Sequence, residues 1–153
     1  MSTATFGINT ARDYFENILV PNYEDFLKSQ LDVKEALTCS IILWHQKDWV
    51  WSSEEARLQS KFGIKDINDF HNFIFSKCPD LKIIQELATH TKHSDGHHND
   101  IQVAQKEDGF ASGLSAITTS FLTLKIDGST LFIIKIFKNV MNYWKELIST
   151  LET

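Results

Sequence analysis

The residues that could carry chemistry are most concentrated in QELATHTKHSDGHHND, residues 85–100. Within this stretch Glu86, His90 and His93 are spaced so that a helix would place all three on one face. Neutral imidazole and carboxylate oxygen are ligands that zinc and related divalent ions accept. The spacing predicts a metal face at the end of a helix. The alternative is that the histidines interact with the negative end of the helix dipole, which favours their cationic form.

A second group lies in WHQKDW, residues 44–49, where His45 and Asp48 are three positions apart. On a helix the two side chains would share a face, and a carboxylate beside an imidazole orients it for proton transfer or for metal binding. The alternative is a structural polar pair near the end of a buried helix. If the two helices are neighbours, His45, Asp48, His90 and His93 would converge as the site of a metal-dependent enzyme. The pattern leaves open which cofactor is bound and whether the chain is an enzyme.

Four helical segments are predicted to position these residues. Apolar side chains recur at helical spacing in TARDYFENILVPNYEDFLKS, where Pro21 predicts a kink or two short helices. The segment LDVKEALTCSIILWHQKDWVWSS is apolar on nearly every side and is expected to be the central helix. INDFHNFIFSKC follows with Asp66 as its N-cap, and PDLKIIQELATHTKH begins at Pro79. Short connections between four helices are typical of an up-and-down bundle.

The remaining third of the chain changes character. Residues 94–113 are polar, which predicts a flexible loop with one short strand at IQVAQ, and the loop's HSDGHHND end is expected to be solvated. Asp127-Gly128 then indicates a two-residue hairpin in FLTLKIDGSTLFII. The expected register pairs Ile126 with Ser129, Leu124 with Leu131 and Leu122 with Ile133, with Thr123 and Lys125 on the opposite face.

A closing helix is expected in IFKNVMNYWKELISTL, which has an apolar stripe. The predicted fold class is therefore mainly α. It is a four-helix up-and-down bundle followed by a C-terminal β-hairpin, with a three-stranded sheet as the alternative, and then the closing helix. The 153 residues are expected to form a single domain, 1–153.

Charge and composition narrow the expected partners. The net charge is −5 and only two of the fifteen basic residues are arginines, which argues against a broad DNA-binding surface. No apolar run is long enough to cross a bilayer, so no membrane partner is expected. The sequence lacks a signal-peptide pattern, and its two cysteines, Cys39 and Cys78, are typical of free thiols, so a cytoplasmic protein is expected.

Four stretches together resemble a family of small, largely uncharacterised bacterial proteins: ARDYFENILVPNYEDFL, ILWHQKDWVW, CPDLKIIQELATHTKH and LKIDGSTL…VMNYWKEL. In that family the fourth helix ends in a Lys-His pair, with a small polar or acidic residue four positions before the histidine. Here these residues are Thr89, Lys92 and His93. The arrangement is distantly similar to HEPN domains, the helical bundles of toxin–antitoxin and phage-defence ribonucleases.

The HEPN resemblance implies that His93 acts as a general acid or base, or positions a ribose hydroxyl, and that Lys92 stabilises phosphate charge. The chain departs from the HEPN motif because no arginine lies within two turns before His93. Lysine provides a point charge where arginine grips phosphate with two donors.

Three functions follow, in order of preference. The first is an interaction module that forms a homodimer, because three of the four tryptophans lie within residues 44–51 and aromatic side chains are favoured at interfaces. The partner would be a second copy or another protein. The second is a HEPN-like RNA-binding or RNA-cleaving protein that uses Lys92 and His93. The third is the metal-dependent enzyme described above.

Overall fold

The structure is a computed structural model that describes residues 6–90, 101–110, 118–126 and 128–153. The fold is mainly helical, with an antiparallel sheet inserted before the last helix. In chain order its elements are α1 (Ala11–Tyr14), a π-helical segment (Phe15–Leu19), α2 (Val20–Lys28), α3 (Val33–Phe62), α4 (Ile67–Lys77), α5 (Asp80–His90), β1 (Ile101–Phe110), β2 (Thr118–Ile126), β3 (Ser129–Phe132) and α6 (Ile133–Glu152).

The N-terminal helical segment is interrupted by a turn of π-helix. Thr10 and Asp13 form a reciprocal capping box at the start of α1. The irregularity predicted at Pro21 is present beside it: the π turn spans Phe15–Leu19, and α2 begins at Val20 with Pro21 in its first turn.

The long helix α3 is the centre of the fold, as predicted, although it reaches further than expected, to Phe62. The Asp32 carboxylate accepts hydrogen bonds from two backbone N–H groups at its start, and Gly63 ends it with a φ of 66°. α3 contacts α1, α2, the π-helical segment, α5 and α6. The backbone of Ala11 is fixed to it at two points: Ala11 N donates to Ser53 Oγ and Gln46 Nε2 donates to Ala11 O, each at 3.0 Å.

Helices α4 and α5 agree with their predicted bounds within the described residues. Asp66 caps α4 by accepting a hydrogen bond from the Asp69 N–H, and α4 ends before Pro79. In α5, Leu81, Ile84 and Leu87 are buried and form the predicted apolar stripe. The up-and-down order of the helices and the single domain stay predictions.

The three strands form one antiparallel sheet in the order β1-β2-β3. The predicted pairs Ile126–Ser129 and Leu124–Leu131 are confirmed. The third predicted pair is wrong because Ile133 is already the first residue of α6, so pairing ends at Thr123–Phe132.

The outer strand β1 occupies much of the stretch predicted as a flexible loop. It extends the expected IQVAQ strand through Phe110, while residues 94–100 and 111–113 of the predicted loop lie outside the described residues. β1 makes β2 a central strand, and Thr123, expected on the polar face, is completely buried there.

The last helix covers the sheet and closes the core. α6 contacts α3, α5, β2 and β3. Its predicted apolar stripe is buried apart from the half-buried Met141. Trp144 has no exposed surface, and its indole N–H donates to the Leu43 carbonyl at 3.0 Å. None of the described helices has the length and apolar character needed to cross a membrane.

Candidate functional site

The predicted pair on α3 does not form. His45 and Asp48 are both exposed, and the Asp48 carboxylate contacts the Lys47 ammonium. Among the described residues no hydrogen bond or ion pair joins Asp48 to His45. The expectation that a carboxylate orients His45 is therefore wrong.

Of the residues predicted on the fourth helix, the structure describes Glu86 and the backbone of His90. Glu86 is half-buried on α5, and His90 is the last residue of that helix. The His90 side chain, Lys92 and His93 lie outside the described residues, so the convergence of His45, Asp48 and His93 stays a prediction. Within the described part of the chain no group of three or more histidine, cysteine, aspartate or glutamate side chains could hold a metal ion.

Three aromatic side chains meet where α3 packs against α4. The Trp44 ring lies parallel to that of Phe75, at 6° and a centroid distance of 5.9 Å. His71 lies 6.0 Å from Trp44 and 6.3 Å from Phe75. All three side chains are half-buried, so their rings keep part of their surface in contact with solvent. We call Trp44, His71 and Phe75, together with the adjacent Lys47 and Asp48, the aromatic face.

A cation is held within the aromatic face. The Lys47 side chain is only 11% exposed, and its Nζ lies 4.8 Å from the centroid of the Trp44 ring. A cation over an indole ring is attracted by the ring quadrupole, and Asp48 neutralises the same ammonium. Asp48 itself is 58% exposed, so it remains available to a second group.

The histidine of the aromatic face is uncharged at neutral pH. Burial lowers the pKa of His71 below its ordinary value of 6.5, nearby Lys47 lowers it further, and Asp48 opposes the shift. The Nε2 atom of His71 is buried and has no hydrogen-bond partner among the described residues. The ring therefore contributes apolar and aromatic surface to the face rather than charge.

This histidine predicts a specific dependence of stability on pH. The unfolded chain protonates His71 near pH 6.5 and the folded chain only at lower pH, so stability falls as pH drops through the window below 6.5. We expect His71→Gln to remove that part of the acid sensitivity. Urea unfolding at several pH values between neutral and mildly acid measures it. The exposed His45→Gln is the control, and equal pH profiles for wild type and His71→Gln would contradict the prediction.

Sequence reasoning missed Lys47, His71 and Phe75. A weak signal was present, because Trp44 and Lys47 are three apart on one helix, and His71 and Phe75 are four apart on another. The packing of α4 on α3 could not be read from these spacings.

Comparison with known proteins gives no match: no family model fits the chain, and no curated protein or solved structure is significantly similar to it.

Proposed function

We propose that the protein is an interaction module that forms a homodimer through the aromatic face. The observation that carries this proposal is the packed but half-exposed cluster of Trp44, His71 and Phe75. Tryptophan is among the residues that most often dominate binding energy at protein interfaces. In this proposal the first four predicted helices form an up-and-down bundle, and its α3–α4 side is the interface.

The charges around the aromatic face favour a second copy of the chain as the partner. A two-fold interface is self-complementary, so residue i of one copy meets residue j of the other, and j meets i. The exposed His45 lies one helical turn from the exposed Asp48, on the outer side of the face. In a two-fold arrangement His45 of each copy can approach Asp48 of the other, so the dimer would contain the His–Asp contact that one copy does not make.

Solution mass tests the dimer directly. By sedimentation equilibrium we expect a mass of twice the 17.6 kDa chain. Exchanging the charge at the edge of the aromatic face, as in Asp48→Lys, is expected to weaken the dimer by up to about 30-fold, because two symmetry-related contacts worth up to about 1 kcal/mol each are lost. The double variant His45→Asp with Asp48→His restores the opposite groups and should restore part of the affinity, since it also removes the Asp48 partner of Lys47.

A control variant separates the loss of the proposed His45–Asp48 contact from a general effect of charge. Glu55 is exposed on the same helix, and Glu55→Lys makes the same change of charge as Asp48→Lys. It should leave the dimer unchanged. A wild-type chain that is monomeric even at millimolar concentration would overturn the proposal.

RNA binding is the second candidate, and it is favoured by the same rings. Parallel aromatic side chains with a cation nearby are the elements that single-stranded nucleic acids stack on. Trp44 and Phe75 provide the rings on the aromatic face, and the nearby cation, Lys47, is largely buried and already paired with Asp48. The net charge of −5 makes this candidate weaker than the dimer, because backbone phosphates need compensating cations.

The nuclease version of the RNA candidate depends on His93. If His93 is a general acid or base, wild-type protein should degrade total RNA and His93→Ala should slow that degradation by about 100-fold or more. Gel profiles of total RNA over time measure the difference. His45→Ala is the matched control, because it removes an exposed histidine elsewhere in the chain. Profiles that show no degradation by wild type would eliminate the nuclease.

A further inference from the structure

A groove of about 310 Å³ runs between α6 and the N-terminal helical segment. Its apolar lining comes from Phe15, Val20 and Tyr23 on one side and from Met141 on the other. Phe15 is buried, whereas Val20, Tyr23 and Met141 are half-buried and present apolar surface to the groove. The volume is at the lower end of the range for sites that bind specific ligands.

The π-helical segment builds one wall of this groove. The Val20 N–H donates to the Phe15 carbonyl, a bond between residues i and i+5. In an α-helix these positions would point roughly 140° apart. The wider π turn brings Phe15 and Val20 towards the same side of the helix, and both line the groove. Single π turns occur frequently at functional sites. Here the π turn places Phe15 and Val20 on one surface, whereas an α-helix would place them on different sides.

Two lysines on α6 belong to the groove. Lys138 and Lys145 both line it, and both side chains are exposed. They are seven residues apart, which on a helix is two turns, or roughly 10.5 Å. Between them the half-buried Met141 and the exposed, polar Asn142 also line the groove. Along α6 the lining therefore has a cation on each side of a floor that is apolar at Met141.

From this pattern we propose that the groove between α6 and the π-helical segment binds an acidic amphipathic helix of a partner protein. Two acidic side chains at i and i+7 of the partner would pair with Lys138 and Lys145, and aliphatic side chains at i+3 and i+4 would enter the groove. A parallel or an antiparallel partner fits the spacing equally, because seven residues of any α-helix have the same length.

The apolar floor suits such a partner better than a folded domain. A helix laid in a groove is recognised through anchors at i, i+3, i+4 and i+7. Methionine adapts its shape to different apolar side chains, which allows Met141 to accommodate leucine, isoleucine or valine. The groove shares no lining residue with the aromatic face. The helix-binding proposal and the dimer proposal can therefore fail separately.

A synthetic peptide tests the proposal on the full-length chain. The probe is a stapled, fluorescently labelled helix with glutamates at i and i+7 and leucines at i+3 and i+4, and its comparison is a scrambled peptide of the same composition. By fluorescence anisotropy we expect saturable binding of the probe and at least about tenfold weaker binding of the scrambled peptide. The affinity should fall as salt is raised, because both ion pairs are exposed.

Charge exchange gives the decisive comparison. Lys138→Glu with Lys145→Glu should weaken binding of the acidic probe by about tenfold, from two lost pairs and added repulsion. A probe with lysines in place of the glutamates should bind this double variant better than it binds wild type. Lys82→Glu is the control for a lysine-to-glutamate exchange outside the groove, since Lys82 is exposed on α5 and does not line the groove.

A substitution of Met141 tests the contribution of the apolar part of the groove. Met141→Gln keeps the length of the side chain but adds a polar amide, and it should weaken probe binding severalfold with little change in the thermal melt. Equal affinity for the probe and the scrambled peptide would overturn the proposal. So would a double lysine variant that binds the acidic probe as tightly as the Lys82→Glu control.

Discussion

Replacing Trp144 with alanine is expected to lower the free energy of unfolding by about 3–5 kcal/mol, the largest loss we expect from a single substitution in this chain. The side chain is fully buried where α6 packs against α3. Alanine would leave a cavity and would also remove the hydrogen bond from the indole to the Leu43 carbonyl. Domains are typically stable by only about 5–15 kcal/mol, so the variant should be close to unfolding at physiological temperature.

Two companion variants separate the causes of this loss. Trp144→Phe keeps an aromatic ring but removes the donor to the Leu43 carbonyl, and it should cost about 1–3 kcal/mol. Lys145→Ala changes the neighbouring exposed residue and should alter stability by less than about 0.5 kcal/mol. Urea denaturation followed by circular dichroism measures all three. A loss below about 1 kcal/mol for Trp144→Ala would show that α6 is not anchored at this residue.

Replacing Trp44 with alanine is expected to weaken the proposed dimer by about 2–4 kcal/mol, which is roughly 30-fold to 1,000-fold in the dissociation constant. Trp44 contacts every other member of the aromatic face except Asp48: it packs on Phe75 and His71 and lies beneath the Lys47 ammonium. Its loss removes the central ring and leaves the largely buried ammonium of Lys47 paired with Asp48 but without the indole ring beneath it.

The measurement is sedimentation equilibrium of wild type and Trp44→Ala over a range of concentrations, accompanied by urea unfolding of both. Phe62→Ala is the control, because Phe62 is 38% exposed and packs on Phe73 at the far end of α3. It removes an aromatic side chain from the same pair of helices but away from the aromatic face. If Trp44→Ala and Phe62→Ala dimerise equally well, the aromatic face is not the interface.

The helices could be predicted well because their signals are local. Asp66 accepts the Asp69 N–H at the start of α4, and Asp32 accepts two N–H groups at the start of α3, as capping preferences predict. The apolar periodicity of α6 identifies its buried face for the same reason. The side chains that pack are spaced by the geometry of the helix itself.

Two features of the fold could not be predicted from local signals. Pro21 indicated an irregularity in the N-terminal segment, but it did not indicate that the irregularity would be a π turn at Phe15–Leu19. The length of β1 depends on pairing with β2, so its polar sequence looked like a loop. Thr123 is completely buried in this central strand, which the alternation of apolar and polar residues did not indicate.

The candidate site was predicted only in part. Trp44 and Asp48 were singled out by sequence, but the cluster also needs His71 and Phe75 from α4, and that contact joins residues far apart in the chain. His45 was expected to pair with Asp48, yet Lys47 takes that place. Spacing along one helix shows which residues share a side of it, and tertiary packing decides which of them acquire partners.

The π turn also determines where the N-terminal segment tolerates a deletion. A π turn accommodates one more residue than an α turn, so loss of one residue from Phe15–Leu19 would leave an α turn and keep the flanking helices in rotational phase. Loss of one residue from α2, such as the exposed Glu24, would instead rotate everything before it by roughly 100° and shift it by roughly 1.5 Å along the helix axis. Ala11 would then lose its alignment with Ser53 and Gln46 on α3.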